Sequence, residues 1–546
     1  MTLLLTLVLV AQPAAPMSCG TPLFLRMARG IDAPARVTSP RPAEPPQRGD
    51  TLTLWIWNMS VMPPTQFQAE FVVFDHGPHC YVMVHDSVLA AGLVDSADAA
   101  RIVERFDHSS PRDSTKGVWD HNTEVLGMPP DEIDQDSAIY LIYYNIGTFM
   151  GSSFDGFWMA FDEYYDTTSM RLYGYHSNEI ECVYLDCHPN NPSSDYRVAI
   201  AAHEMGHMIS WNYDRAESLW VQEGGCELAM WLFGAPDPIS GFPGNPDNDL
   251  TRWDGNWSDY IKTYLFFLYL YEQYGGRVGT DLIRNIVASP VVSIGGIDEG
   301  FANTGLVERF EDVLDQWVLA NRINDTAFLG GRYGYFGETV PRFSVQGYHY
   351  TYPVDRNGSL NRWAGEYLLF QEATDLSLTF DGADAADFRL YVVGLDTVGH
   401  RLLLDSVPLD SVQYGEYSLP GHDYQSVYLV PVSHYPYGAQ GYRYTASATG
   451  IEEKAEGGRM KAEARLPSVV RGVLNLGAGL GHDPISQGRN GSCPALLLDA
   501  TGREVMQLRP GANDVSAIAP GVYFVKQYSA SSSQNPVALS RVVIAR

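Results

Sequence analysis

Between Asp50 and His85 the chain alternates short apolar runs with polar breaks: Thr51-Leu-Thr-Leu-Trp-Ile-Trp-Asn, Glu70-Phe-Val-Val-Phe and Cys80-Tyr-Val-Met-Val-His. β-Branched and aromatic residues dominate them, which predicts strands of an N-terminal β-rich region. Ser137-Ala-Ile-Tyr-Leu-Ile-Tyr-Tyr-Asn and residues 179–186 predict two more strands, a sheet for the next segment to pack on. That segment, residues 195–210, is rich in alanine and free of proline, with Ser193 or Ser194 as N-cap, and predicts a helix. Residues 218–233 and 257–274 predict two further helices around a Gly/Pro/Asn/Asp loop at 234–249, an α+β arrangement. From Arg342 to Gly450 helical periodicity gives way to alternating runs such as Leu376-Ser-Leu-Thr-Phe and Ser426-Val-Tyr-Leu-Val-Pro-Val, the pattern of a β-sandwich. Residues 451–466 are charged and lack aromatics, as a linker would, and 467–546 read as a last small β-domain. The expected divisions are therefore 17–130, a β-rich region or an inhibitory propeptide, then 131–340, 341–450 and 467–546.

Composition narrows the setting. At 546 residues the chain exceeds one hydrophobic core, and its apolar and charged fractions are those of globular protein. A net charge of -29 repels phosphate backbones and anionic lipid, so nucleic acid is not an expected partner. The first residues, Met1-Thr-Leu-Leu-Leu-Thr-Leu-Val-Leu-Val-Ala, are apolar but too few to span a bilayer, and small residues follow. Residues 1–16 thus read as a signal peptide, although the n-region carries no Lys or Arg, and no other stretch reaches membrane-spanning length, so stable membrane insertion is not expected. Cys19 lacks the bulky residue three places earlier that a lipoprotein anchor needs. Six scattered cysteines are too few for a disulfide scaffold; Cys182 with Cys187, or Cys80 with either, are the candidates for pairing in an oxidising compartment.

The chemistry concentrates in the first of the three helices. His203-Glu204-Met205-Gly206-His207 places two imidazoles four residues apart on one helix face, able to hold one ion, with Glu204 leaning toward its open position. A catalytic zinc takes three protein ligands and leaves a site for water. Trp220-Val-Gln-Glu223-Gly-Gly-Cys-Glu227 offers two carboxylates one turn apart on the next helix, one to bind metal and one to hydrogen-bond a ligand histidine. Their apolar surroundings, Leu228-Ala-Met-Trp-Leu-Phe, argue against a solvated acidic face.

His-Glu-Met-Gly-His-Met-Ile followed by Trp-Val-Gln-Glu-Gly resembles the gluzincin zinc metallopeptidases, most closely the hyicolysin-like branch, over roughly residues 130–325. The resemblance implies a zincin-type α+β catalytic domain with His203, His207 and Glu223 as metal ligands, Glu204 as general base and Glu227 hydrogen-bonded behind a ligand. The interval from His207 to Glu223 is a few residues shorter than in the better known gluzincins. The segment Asp259-Tyr-Ile-Lys-Thr-Tyr through Tyr274-Gly-Gly is similar to the gluzincin aminopeptidase helix that presents a tyrosine to the oxyanion, which makes Tyr260 the candidate donor, with Tyr264 and His176 as rivals. No Gly-x-Met-Glu-Asn strand for a free N-terminus is present, so the expected activity is an endopeptidase acting on proteins or peptides.

Two further features bear on setting. Asp247-Asn-Asp249 is a candidate Ca2+ loop, competing with a plain polar turn. Arg471-Gly-Val-Leu-Asn-Leu, Leu496-Leu-Leu-Asp-Ala-Thr-Gly-Arg, Ala519-Pro-Gly-Val-Tyr-Phe-Val and the closing Arg541-Val-Val-Ile-Ala-Arg resemble the C-terminal sorting domain of type IX secretion substrates. That resemblance implies export through bacterial secretion machinery and a secreted or cell-surface location. The competing reading is a surface adhesion protein on a peptidase-like scaffold, which loss of Glu204 or a ligand would have favoured. An intracellular aminopeptidase would make both targeting segments accidental.

Overall fold

The computed structural model describes residues 19–27, 44–149, 151–396, 401–422 and 424–449, and, nearer the C-terminus, 469–470, 473–476, 495–498, 503–509, 511–519, 521–529 and 532–544. The chain divides into two compact units, Met1–Ile451 and Glu452–Arg546. Residues 1–16 and 451–466, expected as a signal peptide and a linker, lie outside the described residues.

The first unit is organised by a six-stranded sheet in the order Thr51–Asn58, Thr65–His76, Cys80–His85, Ile139–Tyr144, Cys182–Asp186, Gly156–Phe157. The strands at 80–85, 139–144 and 182–186 run parallel, and the flanking pairs are antiparallel. The sheet crosses the division expected at residue 130, because the parallel centre needs neighbours on both edges and the 51–85 strands supply one of them. Ile139–Tyr144 is buried at every position, as a central strand covered on both faces must be. Val82, Val84, Leu141 and Leu185 face a core shared with the helices. Met83, Ile142 and Tyr184 face a second core, closed by Phe24 of the short helix Thr21–Met27 and by Trp57. The crossover between the strands at 80–85 and 139–144 carries the helices Ser96–Asp107 and Val118–Val125 in a stretch whose β-runs dominated the sequence pattern. An Asp95/Asp98 capping box starts the first of them.

Cys19, Cys80, Cys182, Cys187 and Cys226 are all free thiols, which corrects the expected pairing. Cys182 and Cys187 are an odd number of residues apart on one strand path and belong to opposite cores, and Cys80 and Cys187 lie at opposite ends of parallel strands.

The helices Asp195–Tyr213, Leu219–Phe233 and Trp257–Gln273 pack successively beside this sheet. Beyond them stands a β-sandwich. Its four-stranded sheet has the order 354–360, 440–449, 375–382, 414–419, and its five-stranded sheet the order 401–407, 388–396, 426–433, 368–370, 347–349. Leu378, Phe380 and Tyr444 of one sheet meet Val392 and Leu429 of the other. Val393, Val430 and Val432, on the outer face of the five-stranded sheet, join the helical core, so the sandwich packs on the helices as part of the same unit. The second unit carries a five-stranded sheet over Leu497, Leu508, Val515, Tyr523 and Val525. The protein is thus multidomain, α+β at its centre with β-rich elements on either side. Among the described residues no helix is long and apolar enough to cross a membrane.

Candidate metal centre

Ser194 caps the helix Asp195–Tyr213, its hydroxyl accepting from the Arg197 amide at 3.4 Å. The helix is buried almost all round, so His203, Glu204 and His207 are all inside the protein. The next helix, Leu219–Phe233, lies against it at Gly206, where an added Cβ would come within 2.9 Å of Cys226 Sγ. This close approach presents Glu223 to both imidazoles: His203 Nε2 lies 3.4 Å from Glu223 Oε2, and His207 Nε2 lies 3.6 Å from Glu223 Oε1. Glu227, one turn on, stands 3.3 Å from the other nitrogen of the first ring, His203 Nδ1.

A fourth donor comes from the N-terminal end of the described chain. Cys19 Sγ is 3.4 Å from His207 Nε2 and 3.5 Å from Glu204 Oε2. The donor atoms of Cys19, His203, His207 and Glu223 all lie within 4.8 Å of one another. Tetrahedral zinc with bonds of about 2.0–2.3 Å would set neighbouring donors roughly 3.3–3.8 Å apart, and the His203–Glu223, His207–Glu223 and Cys19–His207 approaches fall in that range. His203 Nε2, both oxygens of Glu223 and Glu204 Oε1 are buried without a hydrogen bond. Four such orphans around one point would be costly in a site without an ion.

The buried groups shift in both directions: against the opposing effect of burial, Cys19, Glu223 and Glu227 hold the His203 imidazole well above its ordinary range. Burial raises the Glu204 carboxyl against the opposing pull of His203 and the hydrogen bonds from Thr21 and Cys19. Burial also pushes Glu223 up to about 7, and it drives His207 well below the usual imidazole range. A neutral imidazole is the form that binds metal, and a divalent cation would offset the buried carboxylates. The donors fit a mononuclear zinc site of the gluzincin type: two histidines of an HExxH helix, a glutamate from the following helix, and Glu204 beside the remaining position. Such a site carries out metal-dependent hydrolysis.

A narrow cleft with about 10 Å³ of free volume, room for roughly one water molecule, lies beside the cluster, lined among others by Asp155, Tyr196, Ile200, Asp237 and Tyr260. Tyr260 stands on the helix Trp257–Gln273 with its hydroxyl 3.5 Å from the Cys19 carbonyl oxygen. Of its two rivals, Tyr264 donates to Glu338 Oε2 at 3.0 Å, and His176 stacks on Trp55 and pairs with Asp166. The Asp247–Asp249 loop is engaged by protein donors. Asp247 accepts from the Asn361 amide, Asn248 from Lys262 Nζ, and Asp249 pairs with Arg362.

The sequence pattern did not reveal Cys19, Thr21, Asp155 or Asp237. Cys19 is 185 residues from Glu204, and no local spacing ties the two. The buried partner of Tyr196, Asp237, sits in a loop that reads only as a polar turn.

No protein-family description and no curated protein matches this chain. Among solved structures, 35% of the chain is similar to 33% of the glycoside hydrolase domain of Endo-D from Streptococcus pneumoniae R6, with 11% identity and a TM-score of 0.11. A lipase, BlEst2 of Bacillus licheniformis in propeptide form, aligns over 93% of its length with 76% of the chain, at 9% identity and a TM-score of 0.15. A family GH115 4-O-methyl-α-glucuronidase aligns over 53% of its length with 59% of the chain, at 8% identity and a TM-score of 0.13. The chain thus spans about a third of the first of these and about half of the third. Likenesses this weak carry no argument about fold or function.

Proposed function

We propose that this chain is a secreted zinc endopeptidase, close to the hyicolysin-like gluzincins, with His203, His207 and Glu223 as ligands, Glu204 as general base and Tyr260 as oxyanion donor. The observation that carries the reading is the buried convergence of both imidazoles and Glu223 beside Glu204. Bound zinc supplies Lewis acidity, polarising the scissile carbonyl and acidifying water. Glu204 takes the proton of the attacking water and returns it to the departing amine nitrogen, a role its burial-raised carboxyl suits. The Tyr260 hydroxyl, at the cleft wall, donates to the oxygen of the tetrahedral species. Glu227 holds His203 by its far nitrogen and so sets the ring's tautomer and direction.

Protein and peptide substrates follow from the resemblance of the metal helix and its Trp-x-x-Glu-Gly partner to the gluzincin peptidases. Export follows from the leader-like residues 1–16 and from the resemblance of residues 467–546 to type IX sorting domains, which would engage the secretion machinery. Removal of 467–546 is expected to keep the protein inside the expressing cell, and finding it undiminished in the medium would remove that part of the reading.

The decisive measurement is zinc content with casein cleavage, made on the wild-type chain and on Cys19→Ser, each beside its Glu204→Gln counterpart. One zinc per chain is expected throughout, with cleavage in at least one background lowered by about three orders of magnitude or more when Glu204 is replaced. Cleavage indifferent to Glu204, or none in either background despite bound zinc, overturns the endopeptidase reading.

A further inference from the structure

Three reacting positions of the site are each covered by the same short piece of chain. Cys19 Sγ occupies the fourth corner of the donor set, where a catalytic zinc keeps water. The Thr21 hydroxyl donates to Glu204 Oε2 at 2.8 Å, engaging an oxygen of the general base. The Cys19 carbonyl oxygen receives the Tyr260 hydroxyl at 3.5 Å, standing where a polarised substrate carbonyl would.

The segment is also fastened to the cleft. Its Gly20 amide donates to Gly156 O at 2.9 Å, on the edge strand of the large sheet, as an extended peptide chain would. Trp158 N donates to the Thr21 hydroxyl at 2.8 Å. Behind them the helix Thr21–Met27 buries Phe24 against Trp57 and Phe157, with ring centroids 4.8 and 4.6 Å away. Cys19 itself is only half buried, whereas Cys80, Cys182, Cys187 and Cys226 are buried. An apolar anchor thus carries a thiol, a hydroxyl and a carbonyl into the three places that catalysis needs free.

We infer that residues 19–27 form an inhibitory plug in which the Cys19 thiolate is the fourth zinc ligand, so that the chain is made latent and becomes active when this thiol leaves the metal. The inference rests on the zinc reading above. Activation is a ligand exchange without redox change: the zinc–sulfur bond breaks, a water molecule takes the vacated position, and the thiolate leaves with its electron pair and is protonated. Cutting the chain after the plug, or capping the thiol with an electrophile, would make the exchange permanent. A leader removed after residue 16 leaves Cys19 in place.

The test uses the full-length chain with cobalt in place of zinc. Ligation by sulfur gives an intense near-ultraviolet thiolate-to-cobalt charge-transfer band, which should be present in the wild type and absent from Cys19→Ser and Cys19→Ala, with one metal still bound per chain. Acetohydroxamate, a small metal-binding probe, should bind the variants at least about tenfold more tightly than the wild type, because the fourth position is open. Casein cleavage by the zinc forms should rise at least about tenfold in both variants. No sulfur band in the wild type, or the same band in the variants, overturns the plug. So does hydroxamate binding or casein cleavage equal in all three. Loss of the band with tighter hydroxamate binding but no cleavage by any form keeps the plug and sinks the endopeptidase reading instead.

Discussion

Glu223 and Glu227 are one turn apart, yet they face different atoms of the site. Glu223 reaches both ligand histidines through their Nε2 atoms, while Glu227 approaches only His203 Nδ1. Glu223→Gln is therefore expected to weaken zinc binding more than Glu227→Gln, whose loss should be about 10–100-fold, the usual cost of removing a group behind a metal ligand. Competition with a chelator of known affinity measures both, and the reverse order would exchange their roles. Tyr260→Phe removes a hydroxyl at the cleft wall without emptying its ring contacts with Trp253 and Trp257. Made in the Cys19→Ser background, it should lower kcat by about 10²–10³ with little change in KM or zinc content, as loss of an oxyanion donor does. Equal kcat in the two proteins would leave Tyr260 a packing residue.

The three helices around the site approach closely because glycines stand at their contacts, Gly206 where the helices Asp195–Tyr213 and Leu219–Phe233 meet and Gly224 where the latter meets Trp257–Gln273. A Cβ on Gly224 would lie 2.2 Å from Phe267 Cδ2, inside the ring of a buried phenylalanine on the helix Trp257–Gln273. Alanine would gain about 1 kcal/mol of helix propensity there. Overpacking a core at that distance costs about 1–3 kcal/mol and requires the helices to part. Gly224→Ala should therefore lower the melting temperature and, by displacing the adjacent Glu223, weaken zinc binding as well; a stabilised variant would show that the helices can shift apart without harm. The N-terminal helix makes the same point in reverse, since its role depends on a partner far along the chain and not on its own seven residues.

Within the unit Met1–Ile451 the sandwich packs firmly onto the helices. Asp315 accepts from Arg389, Tyr391 and His434 across that boundary, at 3.0, 2.7 and 2.7 Å. Nearby, Glu366 is buried with one oxygen unpartnered, and burial, helped by Asp247, pushes its carboxyl from 4.5 up to about 8. The folded chain thus keeps a proton that the unfolded chain has released between pH 4.5 and 8, so this group's contribution makes stability fall as pH rises through that window. Glu366→Gln should flatten the fall and stabilise the protein at pH 8 by on the order of a few kcal/mol, with little change below pH 4.5, as read by denaturant unfolding at a series of pH values. Metal removal acts on the same unit. Stripping zinc leaves Glu204, Glu223 and Glu227 buried without a cation, and a site saturated a thousandfold above its Kd contributes about 4 kcal/mol. Chelation should lower the melting temperature by several degrees and zinc should restore it; an unchanged melting temperature would mean that the cluster holds no metal in solution.

The metal helix was legible in the chain because its chemistry is local: two imidazoles four residues apart share a face whatever surrounds them, and an alanine-rich run after a serine cap makes that face a helix. The alternating runs of the sandwich were legible for the same reason, since a period of two needs only neighbouring residues. Tertiary structure alone decided the rest. It placed the 51–85 strands in the sheet behind the site, because strand pairing is settled by partners remote in sequence. It directed Tyr260 and Tyr264, one turn apart on one helix, to different partners. It carried Cys19 across 185 residues to the open corner beside Glu204, a meeting that no spacing records because apolar packing around Phe24, and not chain proximity, brings it about.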